Sequence, residues 1–420
     1  MAKNNNNHKA HPQSFWNEST RIVHGSKNAD PLHGGLNAPL HLSTSFKWNS
    51  VEDDGGYEYS RTANPTRTVL EEQLAQLENG QYCSTHSTGM AAATAVAHLF
   101  KQGDHVIISE DCYGGVYRLF SNVIRHFGVE VSFIDLKNLD GVRNEIRPNT
   151  KCIWAESPTN PLLRLVDIKA LAGIADSSNV LLVVDNTFCS PILQKPLDLG
   201  AHIVLHSLSK YVNGHSDVLG GAVITNDPTV AGRIHFLTNA LGIGSPAFDS
   251  WLILRGIKTL KVRYSHQQKT AQVVAEWLEK QSKVKRVIFP GLTSHPDHEL
   301  AKRQQKGFGA VITFEVEGGK VGAKTIAEST EICTLAESLG GVTTLIEIPA
   351  FHSHASMTDK ARQKVGISNA LIRLSIGLED EDDLIGDLKQ ALNQLSKIKI
   401  HRKGQYNRSY SPAGYGELQA

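Results

Sequence analysis

The chain has 420 residues, of which 40% are hydrophobic and 20% charged, with a formal net charge of +1. That length is too great for one small core and implies two or three packed units. The near-neutral balance excludes a strong field for nucleic acid or an anionic membrane surface, and no run approaches the roughly 18 uninterrupted apolar residues of a membrane span.

In chain order, residues 1–19 open with MAKNNNNHKAHPQSF, which is polar and has no apolar signal-peptide core, so a disordered extension is expected. Residues 20–78 form an arm and a helix. The arm is rich in Gly, Pro, Asn and Thr. In TVLEEQLAQLE (68–78), Leu70, Leu74 and Leu77 line one helical face. From 79 to 265, short apolar runs alternate with helical patterns. Strands are expected at His105–Ser109, Val131–Ile134, Cys152–Ala155, Val180–Val184, Ile203–Leu205 and Gly221–Thr225, with helices at 88–100 and 165–178. The run VLLVV (180–184) is apolar on both faces, as in a central parallel strand covered by helices. The alternation predicts an α/β domain with a mostly parallel sheet. A helix over 266–281 leads into a smaller α+β domain, 266–400, with strands near 285–290, 309–316 and 370–376 and a last helix near 379–396. The polar tail, 401–420, is expected to be poorly ordered. No fixed-period repeat is visible.

Five scattered cysteines, Cys83, Cys112, Cys152, Cys189 and Cys333, form no CxxC pair. That argues against a disulfide framework or a thiolate zinc site and fits a reducing cytoplasm. The HSH at 352–354 lacks supporting ligand spacing, so no metal site is expected. GIGSPA (242–247) follows no convincing strand and is set aside as a dinucleotide loop.

The chemistry concentrates in VLLVVDNTF (180–188) and HIVLHSLSKYVNGHSD (202–217). Each is an apolar strand ending in polar residues, and ligands of open α/β sheets collect at the carboxyl ends of strands. If the two strands are neighbours, the carboxylate of Asp185 and the amine of Lys210 converge at one edge. Pyridoxal 5′-phosphate chemistry needs that pair: an amine to carry the cofactor and move protons, and a carboxylate to keep the pyridine nitrogen protonated. THSTGMA (85–91) joins a turn to an Ala-rich helix, placing the N–H groups of Gly89 and Met90 where a phosphate dianion binds well. The Ser207 and Ser209 hydroxyls can donate to the same phosphate.

These residues carry a resemblance. YEYSRTANPTR (57–67), STGMAA (87–92), DCYGGVYRLF (111–120), ESPTNPLLRLVDI (156–168), VVDNTF (183–188), HSLSKYVNGHSDVLGG (206–221), FDSWLILRGIKTL (248–260), LAESLGGV (335–342) and LIRLSIGLED (371–380) resemble, in order, the cysteine and methionine metabolism family of pyridoxal-phosphate enzymes. The resemblance implies the fold type I, aspartate aminotransferase-like architecture. It implies Lys210 as the cofactor-carrying lysine, Asp185 at the pyridine nitrogen and Tyr113 stacked on the ring. Gly89, Met90, Ser207 and Ser209 would hold the phosphate. Tyr59 and Arg61 are similar to residues that reach the phosphate of a neighbouring subunit, so at least a dimer, and a homotetramer as a dimer of dimers, is expected. Arg373 resembles the clamp for a substrate α-carboxylate, a task suited to guanidinium, and could otherwise pair with an acid such as Glu379. Asn160 and Ser338 look like residues near the cofactor's hydroxyl side and the substrate carboxylate. Ser209 stands where the family usually has Thr, and Ala63 where it usually has Gly.

The substrates implied are small sulfur-containing amino acids. DCYGGVYRLF, NALGIGSPAFDS (239–250) and RQQKGFGAVITFEV (303–316) lean to a bacterial cystathionine γ-synthase, which joins an O-acyl-homoserine to cysteine. Glu347 resembles an acid of the γ-lyases, where it would favour the distal amino group of cystathionine, and Glu58 is compatible with them. A γ-lyase or a dual enzyme is therefore the alternative. The β-lyase is disfavoured by Ser338–Leu339, because that position usually has an aromatic residue. The alternative from another class is a catalytically inactive homologue that only binds pyridoxal phosphate, and the presence of both Lys210 and Asp185 discriminates against it.

Overall fold

The computed structural model describes residues 16–25, 30, 32–355 and 357–397. Most of the expected N-terminal extension, residues 1–15, and the whole tail, 401–420, lie outside them.

Seven strands build the first sheet: β1 (Tyr82–His86), β2 (His105–Ser109), β3 (Glu130–Ile134), β4 (Thr150–Glu156), β5 (Leu181–Asp185), β6 (Ile203–Ser207) and β7 (Gly221–Thr225). Their order is β1-β7-β6-β5-β4-β2-β3. Every neighbouring pair is parallel except those made by β7, which opposes both β1 and β6. The two-residue period of the strands sorts their side chains into two cores. Trp154, Val183, Leu205 and Val223 pack on one side with Ala92, Val96 and Phe120. Ile107, Ile153, Leu182 and Val184 pack on the other with Leu171 and Ala175 of the helix Ile168–Ser177.

The six strands read from sequence are all present. β1 is the addition: its sequence, YCSTH, is too polar to announce a strand. The arm leads into the helix Pro65–Leu77, three residues earlier than its leucine pattern suggests. Asn64 caps it by accepting from Thr66 N–H and Arg67 N–H, and Pro65 sits in the first turn. Leu70, Leu74 and Leu77 are all buried.

The helix expected at 266–281 runs from Leu260 to Glu279 and buries Leu260, Tyr264, Ala271, Val274, Ala275 and Leu278. It joins the first sheet to a second of five strands: β8 (Val284–Ile288), β9 (Val311–Val316), β10 (Thr334–Leu335), β11 (Leu345–Glu347) and β12 (Leu371–Ser375). Their order is β10-β11-β12-β9-β8, antiparallel apart from β10 with β11. Helices Gly319–Ser329 and Glu381–Gln394 bury Ala323, Ile326, Leu384, Leu388 and Ala391 in the adjoining core. β10 and β11 are too short to show a period, so sequence pattern did not reveal them. Among the described residues, no helix is long and apolar enough to cross a membrane.

Candidate active site

The strands of the first sheet place the candidate residues along one edge. β5 ends at Asp185, which pairs in register with Glu156 at the end of β4 and with Leu205 of β6. β5 and β6 are therefore neighbours, and Lys210 lies in the turn three residues beyond β6. The helix Gly89–Ala97 starts just after β1, and Tyr113 just after β2. Loops from the second domain close over this edge. They enclose a cleft of about 230 Å³ whose walls include Gly89, Met90, Tyr113, Asn160, Asp185, Ser207, Ser209, Lys210, Ser338 and Arg373.

Lys210 Nζ donates to Ser338 Oγ at 2.7 Å. Burial, and then the Arg373 charge, pull its pKa down to about 8, against the pull of Glu347 and Glu337. The amine thus reaches its neutral, nucleophilic form at a far lower pH than an exposed lysine does. Ser338 holds φ of 99°, a left-handed backbone uncommon for a side-chain-bearing residue. Beside it Gly340 (φ 77°) lies so near Lys210 and Tyr211 that a Cβ would sit 2.6 Å from Tyr211 N, so only glycine lets this loop press against the lysine turn.

Burial raises the Asp185 carboxyl pKa, while the Thr187 hydroxyl and N–H, the latter donating to Oδ1 at 3.0 Å, and the nearby His206 favour its charged form. Burial also raises the Tyr113 phenol, so it stays neutral. Thr88 caps the helix Gly89–Ala97 by accepting from Ala91 N–H, and the first N–H groups of a helix have no intrahelical acceptor. A Cβ on Gly89 would meet Ser207 Cβ at 3.0 Å. The bare glycine therefore leaves a cradle where backbone N–H groups and the Ser207 hydroxyl face one spot. Ser209 accepts from Gly220 N–H at 3.0 Å through its hydroxyl.

Arg373 is buried. Its Nη1 donates to Asn160 Oδ1 (2.9 Å) and lies 3.0 Å from Glu347 Oε1, its Nη2 donates to Ser338 O (2.6 Å), and its Nε has no partner. Two acids lie differently from the expectation. Glu379 does not pair with Arg373; it accepts from the Thr344 N–H and hydroxyl. Glu347, expected near the substrate, is drawn onto Arg373 instead. It is buried opposite Arg373 across β11 and β12, accepts from Ser353 Oγ at 2.7 Å, and is not in the cleft wall. The β register forces that pairing.

Tyr59 and Arg61 also stand outside the cleft of their own chain. Arg61 lies over the Tyr59 ring at 5.1 Å and donates through Nε to Asn239 Oδ1 at 3.0 Å. In the HSH segment, the buried His354 is pushed down to about 4 by burial and then by Arg373, and shares a hydrogen bond with Ser353, while His352 bonds to Ile348. Among the described residues, no group of three or more potential ligands could hold a metal ion.

Sequence reasoning left out five polar residues of the cleft wall, Thr88, Glu156, Thr187, Glu337 and Ser353, besides several apolar ones. Glu156 ends its strand as Asp185 does, which was a usable signal. Glu337 adjoins Ser338 in LAES. Ser353 is the middle residue of the HSH segment, whose spacing points to no ligand.

The residues fit pyridoxal 5′-phosphate. They offer a cradle that a Cβ would fill, a buried carboxylate at the sheet edge, an amine with depressed pKa and an orphaned guanidinium N–H. A mostly parallel sheet with these groups at its carboxyl edge, and a smaller α+β domain over it, defines a pyridoxal-phosphate enzyme of fold type I. The chain belongs to the Cys/Met metabolism PLP-dependent enzyme family, which matches residues 19–393. It is 46% identical over 376 residues to a cystathionine gamma-lyase of Dictyostelium discoideum, covering 89% of this chain and 97% of that one. It is 45% identical over 390 residues to a cystathionine beta-lyase of Coxiella burnetii, covering 92% and 99%. The crystal structure of cystathionine gamma synthase from Xanthomonas oryzae pv. oryzae, in complex with aminoacrylate and cysteine, matches with a TM-score of 0.89 at 42% identity, covering 91% and 99%. The relatives divide among synthase, γ-lyase and β-lyase activities.

Proposed function

We propose that the chain is a cystathionine γ-synthase, which replaces the acyl group of an O-acyl-homoserine with L-cysteine to give L-cystathionine. The observation that carries the chemistry is the Lys210 amine, held 2.7 Å from Ser338 Oγ in a cleft walled by Asp185 and Arg373. When bound, pyridoxal phosphate supplies a ring that accepts negative charge from the substrate's α-carbon. The protein's own groups do the rest. Arg373, oriented by Asn160 and Glu347, presents its orphaned Nε to the substrate α-carboxylate. Lys210, neutral above about pH 8, takes and returns the protons of the α- and β-carbons. Asp185 would hold a proton at the pyridine nitrogen, Tyr113 would cover the ring face, and the Gly89 helix start with Ser207 and Ser209 would anchor the phosphate.

The synthase assignment rests on DCYGGVYRLF, NALGIGSPAFDS and RQQKGFGAVITFEV. The burial of Glu347 against Arg373 supports it, because the acid that favoured a lyase is taken from the substrate's reach. A second reading, γ-lyase or a dual enzyme, is favoured by Glu337, an acid in the cleft wall close enough to act on Lys210. It could receive the distal ammonium of cystathionine as readily as that of cysteine. We further infer a cytoplasmic homotetramer built from dimers. The arm supports that inference, with Leu36 at 92% and Val51 at 91% exposure and Tyr59 and Arg61 unused by their own cleft.

One assay panel tests the reading: cystathionine alone, then O-succinyl- and O-acetyl-homoserine, each with cysteine. Cystathionine formed from an acyl-homoserine supports the synthase. Cleavage to 2-oxobutanoate and cysteine with no synthesis would replace it by the γ-lyase, and pyruvate with homocysteine by the β-lyase.

A further inference from the structure

Glu156 ends β4 inside the cleft wall, in register with Asp185, and is 4% exposed. Its two oxygens go to two different loops. Oε2 accepts from Tyr113 N–H at 2.7 Å and Oε1 from Asn160 N–H at 2.7 Å. The first loop leaves β2 and carries the ring-stacking tyrosine. The second leaves β4 and carries the asparagine whose Oδ1 accepts from Arg373. The position is costly for an acid. Burial, then Asp185, push the Glu156 carboxyl well above the usual range, and the two N–H bonds pull the other way. A side chain serving only as filler would not be a carboxylate beside another carboxylate.

We propose that Glu156 is a positioning residue that ties Tyr113 and Asn160 to one carboxylate, so that the ring-covering face and the carboxylate clamp are held in a common geometry. The proposal rests on the roles given above to Tyr113 and Arg373. Only a glutamate meets the requirement. A carboxylate is an acceptor at both oxygens, whereas glutamine offers one acceptor and sets its NH2 group against the second N–H. Aspartate keeps both acceptors but is one methylene too short to reach both loops. Both bonds are short, at 2.7 Å, and each satisfies a backbone N–H whose orphaning in a buried site is costly. Substrate thus meets a clamp whose orientation depends on the loop pair rather than on Arg373 alone.

The test compares Glu156→Gln with the unsubstituted protein, with Glu156→Asp as the charge-retaining second variant should the first fail to fold. In the cofactor-free protein, amide hydrogen exchange at Tyr113 or Asn160 should quicken at least tenfold, while the amides of β5 keep their protection. In the cofactor-bound protein, the visible circular dichroism of the cofactor should weaken, and KM for the amino-acid substrate should rise about tenfold or more with a smaller change in kcat. Unchanged exchange at both amides, or an unchanged KM, would overturn the proposal. So would exchange that rises uniformly across the sheet with a lowered Tm, since that marks a residue that only stabilises the fold. An unsubstituted protein that takes up no pyridoxal phosphate would remove the cleft's assignment and the proposal with it, a failure visible without any variant.

Discussion

Replacing Lys210 by methionine should abolish turnover and yet make the cofactor-free protein more stable at neutral pH. The amine gives up its proton near pH 8 in the folded chain and near the ordinary 10.5 when unfolded. Between those values the unfolded chain holds more protons, so stability rises with pH across that window, and below pH 8 the full cost of the buried charge is present. A difference of about 2.5 units corresponds to about 3 kcal/mol. Loss of the bond to Ser338 returns about 1 kcal/mol, leaving a net gain of about 2 kcal/mol for Lys210→Met, whose unbranched side chain fills the same space. For a chain of this size that raises Tm by about 2 to 3 °C. Denaturant or thermal unfolding of both cofactor-free proteins at pH 7 and pH 10 measures it. The gap should be present at pH 7 and nearly closed at pH 10, because every other titrating group is common to both proteins. A wild-type protein as stable as the variant at pH 7, or a gap that does not change with pH, would refute the reasoning.

Arg61→Ala should weaken cofactor retention, and mixing its subunits with Lys210→Ala subunits should restore activity in the mixed dimers; no recovery would remove the shared site. Gly89→Ala should raise the cofactor's Kd about tenfold or more with little change in far-ultraviolet circular dichroism, because the added Cβ would sit 3.0 Å from Ser207 Cβ in the phosphate cradle. Equilibrium titration checks it, and an unchanged Kd would place the phosphate elsewhere.

The large domain was legible because its strands are buried on both faces and its chemistry lies where those strands stop. VLLVV announces β5, and Asp185 follows because a polar residue ending such a strand must lie at the sheet edge. The Lys210 turn was legible for the same reason. The second domain was harder. β11 has three residues, so nothing in LIE shows that Glu347 will be locked opposite Arg373, and a composition that looks suited to substrate proves to be a buried counter-ion. Register is a tertiary property, and a one-residue slip would have turned Glu347 to the other face. Glu156 was missed for a different reason. Its strand-end position was visible, but its partners are two backbone N–H groups of separate loops, and those leave no trace in side-chain composition.

The charges that set the two central groups come from different domains. Those acting on Lys210 beyond burial are Arg373, Glu347 and Glu337, all from the second domain. Asp185 is steadied by Thr187 and His206, both from the first. Burial raises the Asp185 pKa and only first-domain groups oppose that rise, whereas the amine's proton affinity depends on how closely the second domain packs over it. Gly340 fixes that distance, since a side chain there would collide with Tyr211 N. The Lys210 amine is thus tuned by the loop that closes the cleft, and the Asp185 carboxyl by the sheet beneath it.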